Sequence, residues 1–294
     1  MNAWAQVSDD AGEAGCCYEQ SSKRWWRNQM GNLVNRLAVT CMILAAGATV
    51  EARRAMAADD AALEALPRSL EVKLALSALP PHLRADATIL VLDPKKGYTT
   101  ERSGNNGFTC FVERTDYVRA QYRDDLLVPI CFDPEGTRTI EPVSFDVARL
   151  RAEGKLSAED LRSEIMKRFK DGVYHSPARP GISYMIAPIM RLYMGPESKD
   201  IATMNMPHYM FYAPNLTSAD FGGGKTFGPY PYLANPGPHA YMILHVGAAE
   251  KAEINREHQD LLTEICAYRS YYCLDEKPSP HDGASGISTP GRLH

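Results

Sequence analysis

Met204, Met206, His208 and Met210 alternate along the chain. On a β-strand that spacing sets all four side chains on one face, because successive residues point to opposite sides. Thioether and imidazole donors together suit a soft cation such as Cu(I). Met190 and Met194, four residues apart, add two more thioethers. Pro207 lies inside the run and restricts it to an edge or irregular strand, since proline offers no amide to a ladder. The plainer use of these residues is packing: methionine is flexible and polarisable and fills irregular cores.

A second set is His208, His239 and His245, with Asp133 or Glu135 supplying a carboxylate. Such a set could hold zinc or iron and make the chain a metal-dependent hydrolase. His239 and His245 share a strand face only if their strand begins early, and no H-E-x-x-H spacing accompanies them. Asp133 and Glu135 alternate as paired carboxylates do, although acidic residues at a strand end ordinarily face water. Ser176, Ser183 and Ser218 lack the G-x-S-x-G elbow of serine hydrolases. Gly222-Gly223-Gly224-Lys225-Thr226 imitates a phosphate loop, but Ala219 stands where the first glycine belongs and FGPYPYL follows instead of a helix. Asn215-Leu216-Thr217 matches a glycosylation acceptor, which carries no meaning if the source is bacterial. Tyr209, Phe211, Tyr212, Phe221, Phe227, Tyr230 and Tyr232 could line a pocket for an apolar or sugar-like ligand, or build the core of a loop-rich fold.

The elements that carry these residues are legible in outline. Ile182–Ala187, His208–Tyr212 and Ala240–Val246 read as strands separated by Pro/Gly-rich loops. Upstream, strands are expected at Ala87–Leu92, Tyr98–Arg102, Phe108–Glu113 and Val128–Phe132, with Gly104-Asn105-Asn106-Gly107 as a hairpin loop. Leu63, Leu66, Leu70 and Leu74 form a helical pattern that Pro67 splits and Pro80-Pro81 ends. Ser157-Ala158-Glu159-Asp160 is a capping box; Leu161, Ile165, Met166 and Phe169 form the apolar stripe behind it, and Gly172 stops the helix. Ala248–Ala267 reads as a final helix. Helices and strands do not alternate strictly. The expected fold is therefore α+β, an antiparallel sheet with flanking helices and long Pro/Gly-rich loops.

Composition bounds the rest. The chain has 294 residues, a net charge of -4 and 45% hydrophobic residues, enough for a substantial core and without a basic field for nucleic acid. Leu37–Val50 is an apolar run behind Arg36; Ala46-Gly47-Ala48 near its end and Ala55-Met56-Ala57 beyond it are both A-x-A cleavage patterns. It is short for a membrane span and fits a secretory signal, with Met30 an alternative start and an uncleaved anchor helix the competing reading. Residues 1–57 are thus an extension and signal, 58–273 one globular domain, and 274–294 a disordered polar tail. Cleavage leaves Cys110, Cys131, Cys266 and Cys273. An even number in an oxidising compartment predicts two disulfides, and Cys110–Cys131 with Cys266–Cys273 closes the shortest loops.

Asn106-Gly107-Phe108-Thr109-Cys110, Pro129-Ile130-Cys131-Phe132-Asp133 and Pro180-Gly181-Ile182-Ser183-Tyr184-Met185 resemble N-G-aromatic-T-C, P-x-C-x-D and G-x-x-Y-M motifs, in this order, of a family of uncharacterised secreted bacterial proteins. The resemblance covers about the middle half of the mature chain. It implies a secreted globular domain with Cys110 and Cys131 paired, and it brings no activity or catalytic residue. The expected role is a secreted or periplasmic, non-enzymatic binding or envelope-accessory protein with a small-molecule or envelope partner. No nucleic acid and no transmembrane span in the mature protein are expected. Copper at the Met/His run, or zinc at the histidine set of a hydrolase, are the alternatives.

Overall fold

Pro67 sets where the first helix begins. Proline cannot donate an amide inside a helix and fits at its start, and α1 (Arg68–Ser77) starts at the next residue. The computed structural model describes residues 62–195, 198–222 and 230–274, all within one unit, Ala57–His294. The signal and tail expectations fall on residues outside the described ones, as does most of the glycine-lysine loop. Among the described residues, no helix is long and apolar enough to cross a membrane.

Eight strands form one sheet: β1 (Thr88–Asp93), β2 (Gly97–Arg102), β3 (Thr109–Glu113), β4 (Val128–Phe132), β5 (Ile182–Met185), β8 (His208–Tyr212), β9 (Tyr232–Ala234) and β10 (Tyr241–His245). Their order is β2-β1-β3-β4-β5-β8-β10-β9. Every pairing is antiparallel except β1 with β3. The Gly104–Gly107 segment is consequently a crossover over β1 and not a hairpin loop. Thr88 accepts Gly104 N–H on its hydroxyl, and Asp86 O holds Asn105 and Asn106. A separate hairpin, β6 (Met190–Tyr193) and β7 (Ile201–Met204), is joined to the segment before β4 by the Leu127–Arg191 bridge.

The sheet is covered on both faces, and β1 shows it as a run of four buried residues, Ile89–Leu92. On one face, Leu70, Leu74 and Ala75 of α1 meet Ile89, Val112 and Leu127, with Leu261 and Ile265 of α6 (Gln259–Tyr268) in the same cluster. The other face is rich in aromatics and methionines: Phe111, Phe132, Met185, Met190, Met210, Tyr212, Tyr241 and Ile243. Beyond it α2 (Pro134–Thr139), α3 (Glu141–Glu153) and α4 (Ala158–Lys170) follow in succession, and Val143, Val147 and Leu150 pack on Leu161 and Ile165.

Ser157 caps α4 as expected, accepting Asp160 N–H at 3.1 Å, but Met166 projects outward at 53% exposure and leaves the apolar stripe. The final helix is two, α5 (Ala248–Glu257) and α6, broken at His258. Cys110 and Cys131 sit directly opposite one another on β3 and β4, disulfide-bonded and fully buried, with Cα atoms 4.1 Å apart. Cys266–Cys273 ties the end of α6 to the turn that follows it.

Candidate functional site

Three adjacent strands bring Met185, His208 and His245 into one row. In the β5–β8 ladder Met185 is opposite His208, and in the β8–β10 ladder His208 is opposite His245. Residues directly opposite in a sheet share a face, and this face is the aromatic and methionine one, since Met210 and Ile243 two positions away belong to it. The His208 and His245 rings lie 5.7 Å apart, centroid to centroid.

His208 is buried, and its Nδ1 lies 2.8 Å from Met206 O. A carbonyl only accepts, so Nδ1 carries the proton and Nε2 keeps its lone pair. Burial, ahead of every other cause, takes its pKa down to about 4, so the ring is neutral near pH 7. A neutral imidazole whose far nitrogen is fixed by a backbone carbonyl is the form in which histidine ligates a metal. His245 Nε2 lies 3.2 Å from the hydroxyl of Tyr232, on the neighbouring β9. Thioether, imidazole and imidazole thus occupy adjacent positions along a line across the sheet.

The Met204–Met210 run does not lie on one strand. Met204 ends β7, where it pairs with Met190, and β8 starts only at His208, so Asn205, Met206 and Pro207 form the connection. Pro207 explains the break, because a proline has no amide for either ladder. Met210 remains on the His208 face and buried, and Met204 and Met206 pack against the same cluster from outside. Met190 is fully buried while Met194 is exposed beyond the end of β6. On a strand, four residues of separation does not bring two side chains together as it would on a helix.

His239 is elsewhere. β10 begins at Tyr241, so His239 precedes the strand whose far end carries His245, about 20 Å away along an extended chain. Its ring packs on Phe169 at 5.1 Å and bonds His175 O at 3.0 Å. Among the described residues, no three His, Cys, Asp or Glu side chains converge as a metal-holding group. Asp133 and Glu135 are occupied in building the fold. Asp133 caps α2 by accepting Gly136 N–H at 2.8 Å and receives Ile182 N–H at 2.9 Å. Glu135 is buried and accepts the Ala178 amide at 2.7 Å, which with Arg179 and Arg138 holds its carboxyl below the usual range.

Compared with family models, curated proteins and solved structures, the chain finds no match. The donor row therefore stands on its own geometry. Sequence reasoning reached His208 and His245 and missed Met185. That residue closes the G-x-x-Y-M motif, but its place beside His208 depends on pairing between strands more than twenty positions apart, to which no local pattern points.

Proposed function

We propose that this chain is an exported, non-enzymatic binding protein and that its ligand is a soft cation, Cu(I), taken by Met185, His208 and His245. The observation that carries this reading is the cross-strand row, with His208 neutral and its Nε2 lone pair left available by the Nδ1 bond to Met206 O. Met185 and His208 are buried, uncharged donors, which meet a monocation at lower desolvation cost than a dication, and thioether with imidazole selects the softer ion. Two disulfides in a chain with a signal-like leader support an oxidising, exported location, where structural cystines persist.

Metal analysis of the protein exported, purified and exposed to Cu(I) tests the proposal. Wild type is expected to retain close to one copper per chain, and His208→Ala to retain little. Wild type that emerges metal-free would return these side chains to a purely packing role.

A further inference from the structure

The donor row is the last rung of its ladders. His208 is the first residue of β8, while Met185 and His245 are the last of β5 and β10. Inward along the sheet, the next residues on this face, Met210 and Ile243, are buried, and so is Tyr232 on the β9 side. Outward lies the Asn205–Pro207 connection, closed against β10 where Pro207 O accepts Val246 N–H at 3.1 Å. A cation reaches His208 from this end without crossing the buried rungs.

This end carries thioethers. Met204 is opposite Met190 in the β6–β7 ladder, a position that sets the two Cβ atoms about 5 Å apart. Both pack with the cluster that holds Met185 and Met210, and so does Met206. Their exposure is graded: Met204 and Met206 are half-buried, whereas Met190, Met185 and His208 are buried. Met206 is two residues from His208, roughly 7 Å along an extended chain, and its carbonyl holds the His208 ring at Nδ1. The hairpin is anchored, since Thr203 donates to Tyr271 O at 2.5 Å and Arg191 to Asp125 at 2.9 Å. Asn205 stands between the two half-buried methionines. Its Nδ2 donates to Asn255 of α5 at 2.5 Å, while its Oδ1 is buried without a partner. An unpaired buried carbonyl is costly, and a cation close by lowers that cost.

We infer that Met204 and Met206 are the entry port for Cu(I), taking it at the surface and passing it, with Met190, to His208. This port rests on the reading of Met185, His208 and His245 as the copper site and adds the route to it. Bare Cu(I) is expensive to bury in apolar packing, but a succession of soft donors keeps it ligated at each step. Each step is ligand exchange: one Cu–S bond breaks as the next Cu–S bond, or finally the Cu–Nε2 bond, forms. Copper stays Cu(I), and no proton leaves, because His208 Nε2 already carries its lone pair. Thioethers hold hard dications poorly, so the port also selects by softness.

Stopped-flow transfer of Cu(I) from a chromogenic chelator to the disulfide-intact protein, with an equilibrium titration beside it, tests the port. Met204→Leu and Met206→Leu combined keep the packing volume and remove both sulfurs. The double variant is expected to take one equivalent with an affinity within twofold of wild type, but at least tenfold more slowly. Met166→Leu, on the exposed side of α4, should match wild type in both readouts, and equal slowing there would overturn the port. Should the double variant fail to fold, each single variant is expected to slow transfer at least threefold at unchanged affinity. Transfer at the wild-type rate would overturn the port and leave the donor row standing. An affinity loss of tenfold or more would overturn it too, making the two sulfurs ligands of the final site. Wild type that takes no copper would remove row and port together.

Discussion

The hydroxyl of Tyr212, on β8, donates to Asp133 Oδ1 at 2.8 Å, joining the middle of the sheet to the N-terminus of α2. Ser183 donates to the same hydroxyl at 3.2 Å, and burial raises the Tyr212 phenol far above its ordinary range. Tyr212→Phe leaves the half-buried Asp133 carboxylate short of a donor, so it is expected to cost about 1–3 kcal/mol in urea unfolding. A loss below about 0.5 kcal/mol would show that water or Ser183 replaces the donor.

Glycines make room for that hydroxyl. A Cβ at Gly136 would come within 2.1 Å of it, and a Cβ at Gly181 within 2.4 Å of Asp133 Oδ2. Gly136→Ala is expected to destabilise by about 1–3 kcal/mol through overpacking. The cost should shrink when Tyr212→Phe is combined with it, since the nearest clash is then gone, and a double-mutant cycle reads that coupling.

The two disulfides differ in access. Cys110–Cys131 is fully buried, whereas Cys266 and Cys273 are partly exposed near the end of the described chain. Limited dithiothreitol under native conditions, followed by alkylation and mass mapping, is expected to open Cys266–Cys273 first. Loss of Cys110–Cys131, which spans 21 residues, should cost about 3 kcal/mol by loop-closure entropy, and loss of the seven-residue link about 2 kcal/mol.

Buried carboxyls give stability a pH dependence of unusual sign. Burial raises Glu71 and Glu113 to about 7 and Glu141 to about 8, and Glu141 Oε2 is buried without a partner. Folded protein therefore keeps protons that the unfolded chain releases near 4.5, so this contribution is present below that value and fades as pH rises through 7 to 8. His208 runs oppositely, losing stability as pH falls from 6.5 toward 4. Asp125, where hydrogen bonds from Arg123 and Arg191 outweigh burial and take it to about 2, matters only in strong acid. Glu141→Gln isolates one glutamate: relative to wild type it should gain more than about 1 kcal/mol between about pH 5 and about pH 9. A difference that stays flat across that range would mean Glu141 ionises freely in the folded protein.

Local signals carried much of the fold. Ala87–Leu92 and Val128–Phe132 fall on β1 and β4 because β-branched and apolar runs bounded by turn residues have few other uses, and facing cysteines on β3 and β4 follow from that. Helix α3 was also accessible, with Val143, Val147 and Leu150 at helical spacing and Gly154 at φ 63 closing it, but its start at Glu141-Pro142 resembles a loop. Pairing was not legible. The crossover at Gly104–Gly107 has the residue types of a hairpin turn, and only the insertion of β1 between β2 and β3 decides its role. The same limit hid Met185 from His208, and it made Asp133 and Glu135 look like surface carboxylates when α2 and the 178–182 segment cover them.

The most direct measurement is a competition titration of Cu(I) between the purified protein and a chromogenic Cu(I) chelator, run for wild type, His208→Ala and Met185→Leu. The proposed row predicts that wild type withdraws one equivalent, and that each substitution lowers the affinity at least tenfold. Met185→Leu, which keeps the packing volume, isolates the sulfur. Wild type that takes no copper from the chelator, or variants that take it equally well, would contradict the assignment of Met185, His208 and His245 as a metal site.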